Sequence, residues 1–207
     1  MTDTTSTADA STAPQSEISV RGQNVNNIQA DSVIVRQAGV QEIHAGQVTI
    51  SQSGVNSVQA DAVNLRQGGA QSLSGGTVTV RQGGALTVQA ENLTITQGGL
   101  AFAQTQNATL TASSAGAVLA GGNVTLDQSI ARVVLARGDV TVDQGGSGLV
   151  VARNVRTGDN SGTVLLLAGR VDGPVNTVFG PAASAAFGAG FALMLATLIW
   201  LKNRLTR

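Results

Sequence analysis

The sequence contains no cysteine and no tyrosine, with one tryptophan, four phenylalanines and one histidine in 207 residues. Zero cysteine excludes disulfides, thiolate metal sites and thiol nucleophiles. Aromatic residues make up 2% of the chain although 42% is apolar. A globular core of this length normally draws on bulky rings, which bury the most area per side chain, so such a core is not expected. Charge is also sparse, at 12% of residues against about a quarter in an average domain. Twelve basic residues balance twelve acidic ones. There is no basic surplus to follow a phosphate backbone, so no nucleic-acid partner is indicated. The lone His44 has no second histidine, cysteine or carboxylate pair beside it in the sequence, and no phosphate loop or metal-ligand spacing occurs. No cofactor, metal or small-molecule substrate is therefore indicated, and the chain reads as a non-enzyme.

The two ends differ from the middle. Residues 1–16 are rich in Ser, Thr, Ala and Asp and offer nothing to bury, which predicts a disordered arm. They lack the basic start and apolar stretch of a secretory leader. Residues 174–181 read as a linker, and residues 182–201 are twenty in a row without a charge. That is the length of one membrane-spanning helix. Pro181 suits its first turn. Trp200 stands where an interfacial aromatic belongs, and the tail 202–207 supplies Lys202, Arg204 and Arg207, so membrane lipid is the expected partner of this segment. Ser184, Gly188, Ala192 and Ala196 recur at every fourth position. Small residues so spaced let helices approach closely and self-associate, although an Ala-rich span alone explains them.

Between the ends, residues 17–173 form one repeat. Cut at fifteen residues, the register holds through VNNIQADSVIVRQAG, VQEIHAGQVTISQSG, VNSVQADAVNLRQGG, AQSLSGGTVTVRQGG and ALTVQAENLTITQGG. A degenerate sixth unit, LAFAQTQNATLTASS, follows. One residue is then inserted, and the phase continues at about sixteen through GGNVTLDQ and RGDVTVDQ to fading copies. A period this short is one coil of a solenoid rather than one domain. Apolar or small residues occupy positions 1, 4, 6, 9, 11 and 14 of each unit, with gaps alternating between three and two. Gaps of two are strand alternation, and gaps of three turn a corner. Helical spacings of three, four and seven do not recur. The fold class is therefore all-β: a three-sided parallel β-helix of about ten coils. At roughly 4.8 Å per strand it makes a rod near 50 Å long.

The outward positions carry the candidate functional residues. Gln37, Gln52, Gln67, Gln82 and Gln97 share one phase and predict a structural amide ladder along the axis. The Gly-Gly that follows, including Gly69, Gly84 and Gly99, supplies either positive φ or tight packing. It also leaves a face nearly bare of side chains, which another rod could approach closely in self-association. Thr49, Thr79, Thr94, Thr109, Thr125 and Thr141 form an outward rank. Such arrays resemble insect ice-binding β-helices, but only two coils here carry Thr-x-Thr and charges interrupt the others. The neighbouring rank runs from Arg36, Arg66 and Arg81 to Asp127 and Asp143. Arg137-Gly138-Asp139 spells an adhesion tripeptide at a phase the repeat already explains, and Asn92, Asn107 and Asn123 each open an N-x-Thr sequon.

The phrases VQADAVNLRQGG, TVTVRQGG and NLTITQGG resemble short-coil bacterial β-helix repeat proteins, of which the bactofilins are the nearest in architecture. That resemblance implies a right-handed, nucleotide-free β-helix that polymerises and binds membranes. The coil here is shorter than in bactofilins, and the apolar span is C-terminal rather than N-terminal. The chain is also similar to bacterial QGG-repeat membrane proteins, which imply no function. The resulting expectation is a membrane-anchored structural scaffold able to form a homo-oligomer. The alternative is a surface-displayed binding or adhesion module that uses the solenoid faces. The basic tail favours an exported rod, whereas the missing leader favours a cytoplasmic one; the second is the expected localisation.

Overall fold

A computed structural model describes residues 16–22, 24–174, 176–177 and 194. Its strands are β1 (Glu17–Arg21), β2 (Val25–Arg36), β3 (Gly39–Ser51), β4 (Gly54–Arg66), β5 (Gly69–Arg81), β6 (Gly84–Thr96) and β7 (Gly99–Thr111). There follow β8 (Ser114–Ala120), β9 (Val124–Asp127), β10 (Ile130–Ala136), β11 (Asp139–Asp143), β12 (Gly146–Thr157), β13 (Gly162–Asp172) and β14 (Asn176–Thr177). All belong to one 14-stranded sheet in which each strand lies parallel to the strand one coil away. The chain is an all-β parallel solenoid. Residues 17–22 and 24–172 of the repeat lie within it or its corners, and β14 adds a short strand inside the stretch expected to be linker.

The coil containing Val55 to Gly69 shows how the sequence encodes the winding. Val55, Val58, Ala60, Val63 and Leu65 point inward, and Gly68 is half-buried. Asn56–Ser57, Asp61–Ala62 and Arg66–Gln67 are successive residues that both turn outward, and each such pair is a corner. Parallel sheets usually hide both faces and read as unbroken apolar runs. Here one face lines the rod and the other meets solvent, so alternation survives. The interior is a stack of β-branched and aliphatic side chains: Ile43, Ile50, Leu65, Leu73, Leu93 and Ile95 are at most 1% exposed. Each fully buried side chain of this size contributes about 1.5–3 kcal/mol. No interior column holds an aromatic ring.

The register is fifteen residues from β1 through β7, as in Val48↔Val63 and Val63↔Val78. Between β7 and its successors it changes within a single coil. Thr105 pairs with Ala120, fifteen residues on, whereas Ala108 pairs with Val124, sixteen on. The extra residue is thus accommodated at the Gly121–Gly122 corner. The degenerate sixth unit is structurally ordinary: Leu100, Ala103, Ala108 and Leu110 keep four of its six inward positions apolar and buried, and the hydroxyls of buried Thr105 and Ser113 donate to the Asn107 and Thr111 carbonyls. The fading copies likewise continue as β12 and β13.

Of the two readings of the corner glycines, positive φ and tight packing, the structure selects the second. Positive φ falls on Gln37, Gln52, Gln67, Gln82 and Gln97, each at 53°, and not on the glycines that follow them. Those glycines answer a different demand. A Cβ at Gly68, Gly83 or Gly98 would lie within 2.3–2.5 Å of a carbonyl oxygen of the preceding coil. The corner therefore needs a left-handed residue and, next to it, a residue without a side chain, and glycine fills the second need. The glutamine bears the left-handed cost, about 1–2 kcal/mol, while its N–H stays bonded to the next coil, as in Gln67 N–H to the Arg81 carbonyl at 3.0 Å.

Candidate functional surfaces

The structure sets the five glutamines in one column on the outer edge of this corner. Their amides donate one to the next: Gln37 Nε2 to Gln52 Oε1 (3.3 Å), Gln52 to Gln67 (3.3 Å), Gln67 to Gln82 (3.1 Å) and Gln82 to Gln97 (3.3 Å). Ala112, also left-handed at φ 49°, takes the next place and interrupts the run before Gln128. Where the inward corner residue is serine rather than glycine, its hydroxyl bonds a carbonyl. Ser53 Oγ donates to Ser51 (2.8 Å) and Ser129 Oγ to Asp127 (2.7 Å).

Gly69, Gly84 and Gly99 lie in one column at the middle of the adjoining side. A Cβ at Gly69 would meet nothing within 4 Å, and at Gly84 or Gly99 its nearest neighbour would be 3.4 Å away. This column is bare by composition rather than by steric need, and further along it carries Ser114 and Ile130, the latter 64% exposed. Ser184, Gly188, Ala192 and Ala196 lie outside the described residues, as do residues 1–15 of the arm. Of the 182–201 segment only Met194 is described, and among the described residues no helix is long and apolar enough to cross a membrane.

A second ladder escaped the sequence reading. Asn107 Nδ2 donates to Asn92 Oδ1 (3.2 Å), and the Asn123 N–H donates to Asn107 Oδ1 (3.2 Å). The Asp139 N–H then donates to Asn123 Oδ1 (2.9 Å), and Asn154 Nδ2 to Asp139 Oδ1 (2.7 Å). The signal is present in the sequence as Asn92, Asn107 and Asn123 at one repeated phase, where each also opens a sequon. The ladder also engages the aspartate of Arg137-Gly138-Asp139, whose carboxylate bonds its neighbour along the rod.

The remaining chemistry is thin. His44 Nε2 lies 2.9 Å from Glu42 Oε1, both side chains being about half exposed, and no third group completes a relay. Among the described residues no three His, Asp or Glu side chains gather to hold a metal. Among the described residues no Arg, Asp or Glu is buried, and no buried side-chain nitrogen or oxygen lacks a partner. The depressions among the described residues are open grooves along the sides, one of about 740 Å³ bordered by Gln89, Gln104, Leu119 and Leu135.

No protein-family model, curated protein or solved structure matches the chain. The solenoid architecture implied by the resemblance to short-coil β-helix proteins is present, and kinship with the bactofilins or the QGG-repeat proteins has no matching relative behind it.

Proposed function

We propose that the chain is a non-catalytic structural scaffold, a β-solenoid rod held at a membrane by residues 182–201. The observation that carries this reading is the unbroken parallel register from β1 to β14. It makes a stiff body whose interior is packed solid and whose outer faces repeat. Rigidity along one axis is what such a winding supplies, since each coil is hydrogen-bonded to the coils before and after it. The anchor rests on the twenty uncharged residues and on Lys202, Arg204 and Arg207 behind them. Because β14 ends at Thr177, this reading stands the C-terminal end of the rod beside the bilayer. The arm then lies at the far tip, on the cytoplasmic side.

Alkaline carbonate extraction of cells making the full chain tests the anchor. The protein is expected in the membrane pellet, and Leu193→Arg with Leu198→Arg is expected to release it. Recovery of the unaltered chain in the supernatant would end the anchored reading. Protease added to intact and to opened cells tests the side: the arm should be cut only after opening. Cleavage in intact cells would instead favour the surface-displayed binding module.

A further inference from the structure

One side of the rod changes character along its length. Its central outward column begins Gln29, His44, Gln59, Ser74, Gln89 and Gln104. The same column then continues as Leu119, Leu135, Val151 and Leu167. The corner column beside it makes the same turn, from Asn27, Glu42, Ser57 and Ser72 to Phe102, Ala117, Val133, Leu149 and Leu165. Leu135, Leu165 and Leu167 are 37%, 50% and 54% exposed. These two apolar columns lie on one parallel sheet and continue for four coils or more. Single exposed apolar residues need no explanation, but a contiguous patch marks an interaction surface.

We propose that this side is where a second copy of the chain docks, the two rods lying side by side and parallel about a two-fold axis along their length. Three features select that occupant. First, the polar and apolar halves match only in the parallel sense, which sets Leu135 against Leu135 and Gln59 against Gln59. An antiparallel pair would press leucines onto glutamines. Second, the two charged columns stay apart. The opposite corner of this side carries Asp31, Asp61 and Glu91, then Arg137 and Arg153. The axis places that corner against the partner's Asn27-to-Leu165 corner, whose own charges are Glu42 and, beside Val133, Arg132, and the Arg137 and Arg153 stems can lie over Val133 and Leu149. Third, the size fits. A side about five residues wide and ten coils long offers on the order of 800 Å² per copy, the area of a stable interface, from strand dimensions alone. A segment covering only the apolar half would leave the polar continuation of the same column without a partner.

The anchored-scaffold reading, which places both C-terminal ends at one membrane, requires the same shared direction. The pairing itself does not rest on that reading. The chain has no cysteine, so a single introduced thiol reports one position. Full-length Leu135→Cys, Gln59→Cys and Thr94→Cys variants, purified in detergent, would be treated with a bis-maleimide whose spacer is about 10 Å, the usual separation of packed sheets. Covalent dimers are expected from Leu135→Cys and Gln59→Cys and not from Thr94→Cys, which lies on another side. Leu135→Lys with Val151→Lys should lower the dimer fraction by tenfold or more in light scattering while leaving the circular dichroism unchanged. A monomeric chain with no Leu135→Cys cross-link would overturn the proposal. So would an intramolecular link between Leu135→Cys and Ala192→Cys, which would make the chain's own C-terminal segment the occupant. A Leu135→Cys to Gln59→Cys heterodimer would overturn the parallel arrangement. Carbonate extraction reads the anchor separately, so a soluble chain that still cross-links would fail one reading and keep the other.

Discussion

Coils before Ala120 and coils after it wind the same sheet by different means. The first run at fifteen residues, with an amide ladder from Gln37 to Gln97 on one corner and, apart from Ser53, Thr105 and Ser113, an apolar buried interior. The later coils run at sixteen where β8, β10, β12 and β13 pair. Hydroxyls enter their interior: Ser147 and Thr163 meet at 2.8 Å in a column that holds Val40 and Val55 in the earlier coils. Their outer side becomes apolar at the same time. The winding therefore does not depend on any one residue class. It depends on six inward positions being small or apolar and on every polar group that enters being paired.

Three sets of substitutions sharpen that comparison. The largest effect is expected inside. Leu65→Ala, in the dry half, should cost about 2–5 kcal/mol by removing a fully buried side chain from a coil too regular to collapse. Ser147→Ala, in the hydroxylated half, should cost about 1–3 kcal/mol because Thr163 loses its buried partner. Urea denaturation followed by circular dichroism measures both, and equal losses would erase the distinction between the halves.

Next come the corner glycines, where the halves should agree. Gly83→Ala and Gly145→Ala both drive a methyl into a carbonyl oxygen 2.4 Å away and should lose about 1–3 kcal/mol each. Gly84→Ala, one residue along, should change the midpoint by less than about 0.5 kcal/mol, since Ile130 already occupies that column. If thermal melts show Gly84→Ala as costly as Gly83→Ala, the steric account of the corner fails.

The smallest effect joins the halves. Ala112→Gln puts an amide into the gap between Gln97 and Gln128 and should stabilise by up to about 1 kcal/mol. A neutral or destabilising result would show that the exposed ladder follows from the winding and does not support it.

The winding was legible in the sequence because a fifteen-residue period writes each inward column many times over. Ile28, Ile43, Val58 and Leu73 say the same thing in four coils. Even the degenerate unit around Phe102 keeps its inward residues. The corner stays open between two readings in the sequence because glycine is the usual bearer of positive φ, and a requirement for no Cβ looks the same there as a requirement for φ near 53°. Only the backbone separates Gln67 from Gly68. The Asn92–Asn107 ladder was hidden by its overlap with a modification motif. The apolar side was hidden because its change from Gln89 to Leu119 occurs across coils rather than along the chain. Neighbours on that surface are fifteen or sixteen residues apart, so no window along the sequence contains them together.

The constant register has a consequence for size. Arg66 and Arg81 occupy equivalent places one coil apart, and so does every pair between β2 and β7. Removing residues 67–81 would join Arg66 to Gln82 and leave each remaining coil with a neighbour of the same shape. The rod would shorten by about 4.8 Å with no new kind of contact. The molecule thus behaves as a ruler graduated in repeats, whose reach can be lengthened or trimmed one graduation at a time without redesigning either end.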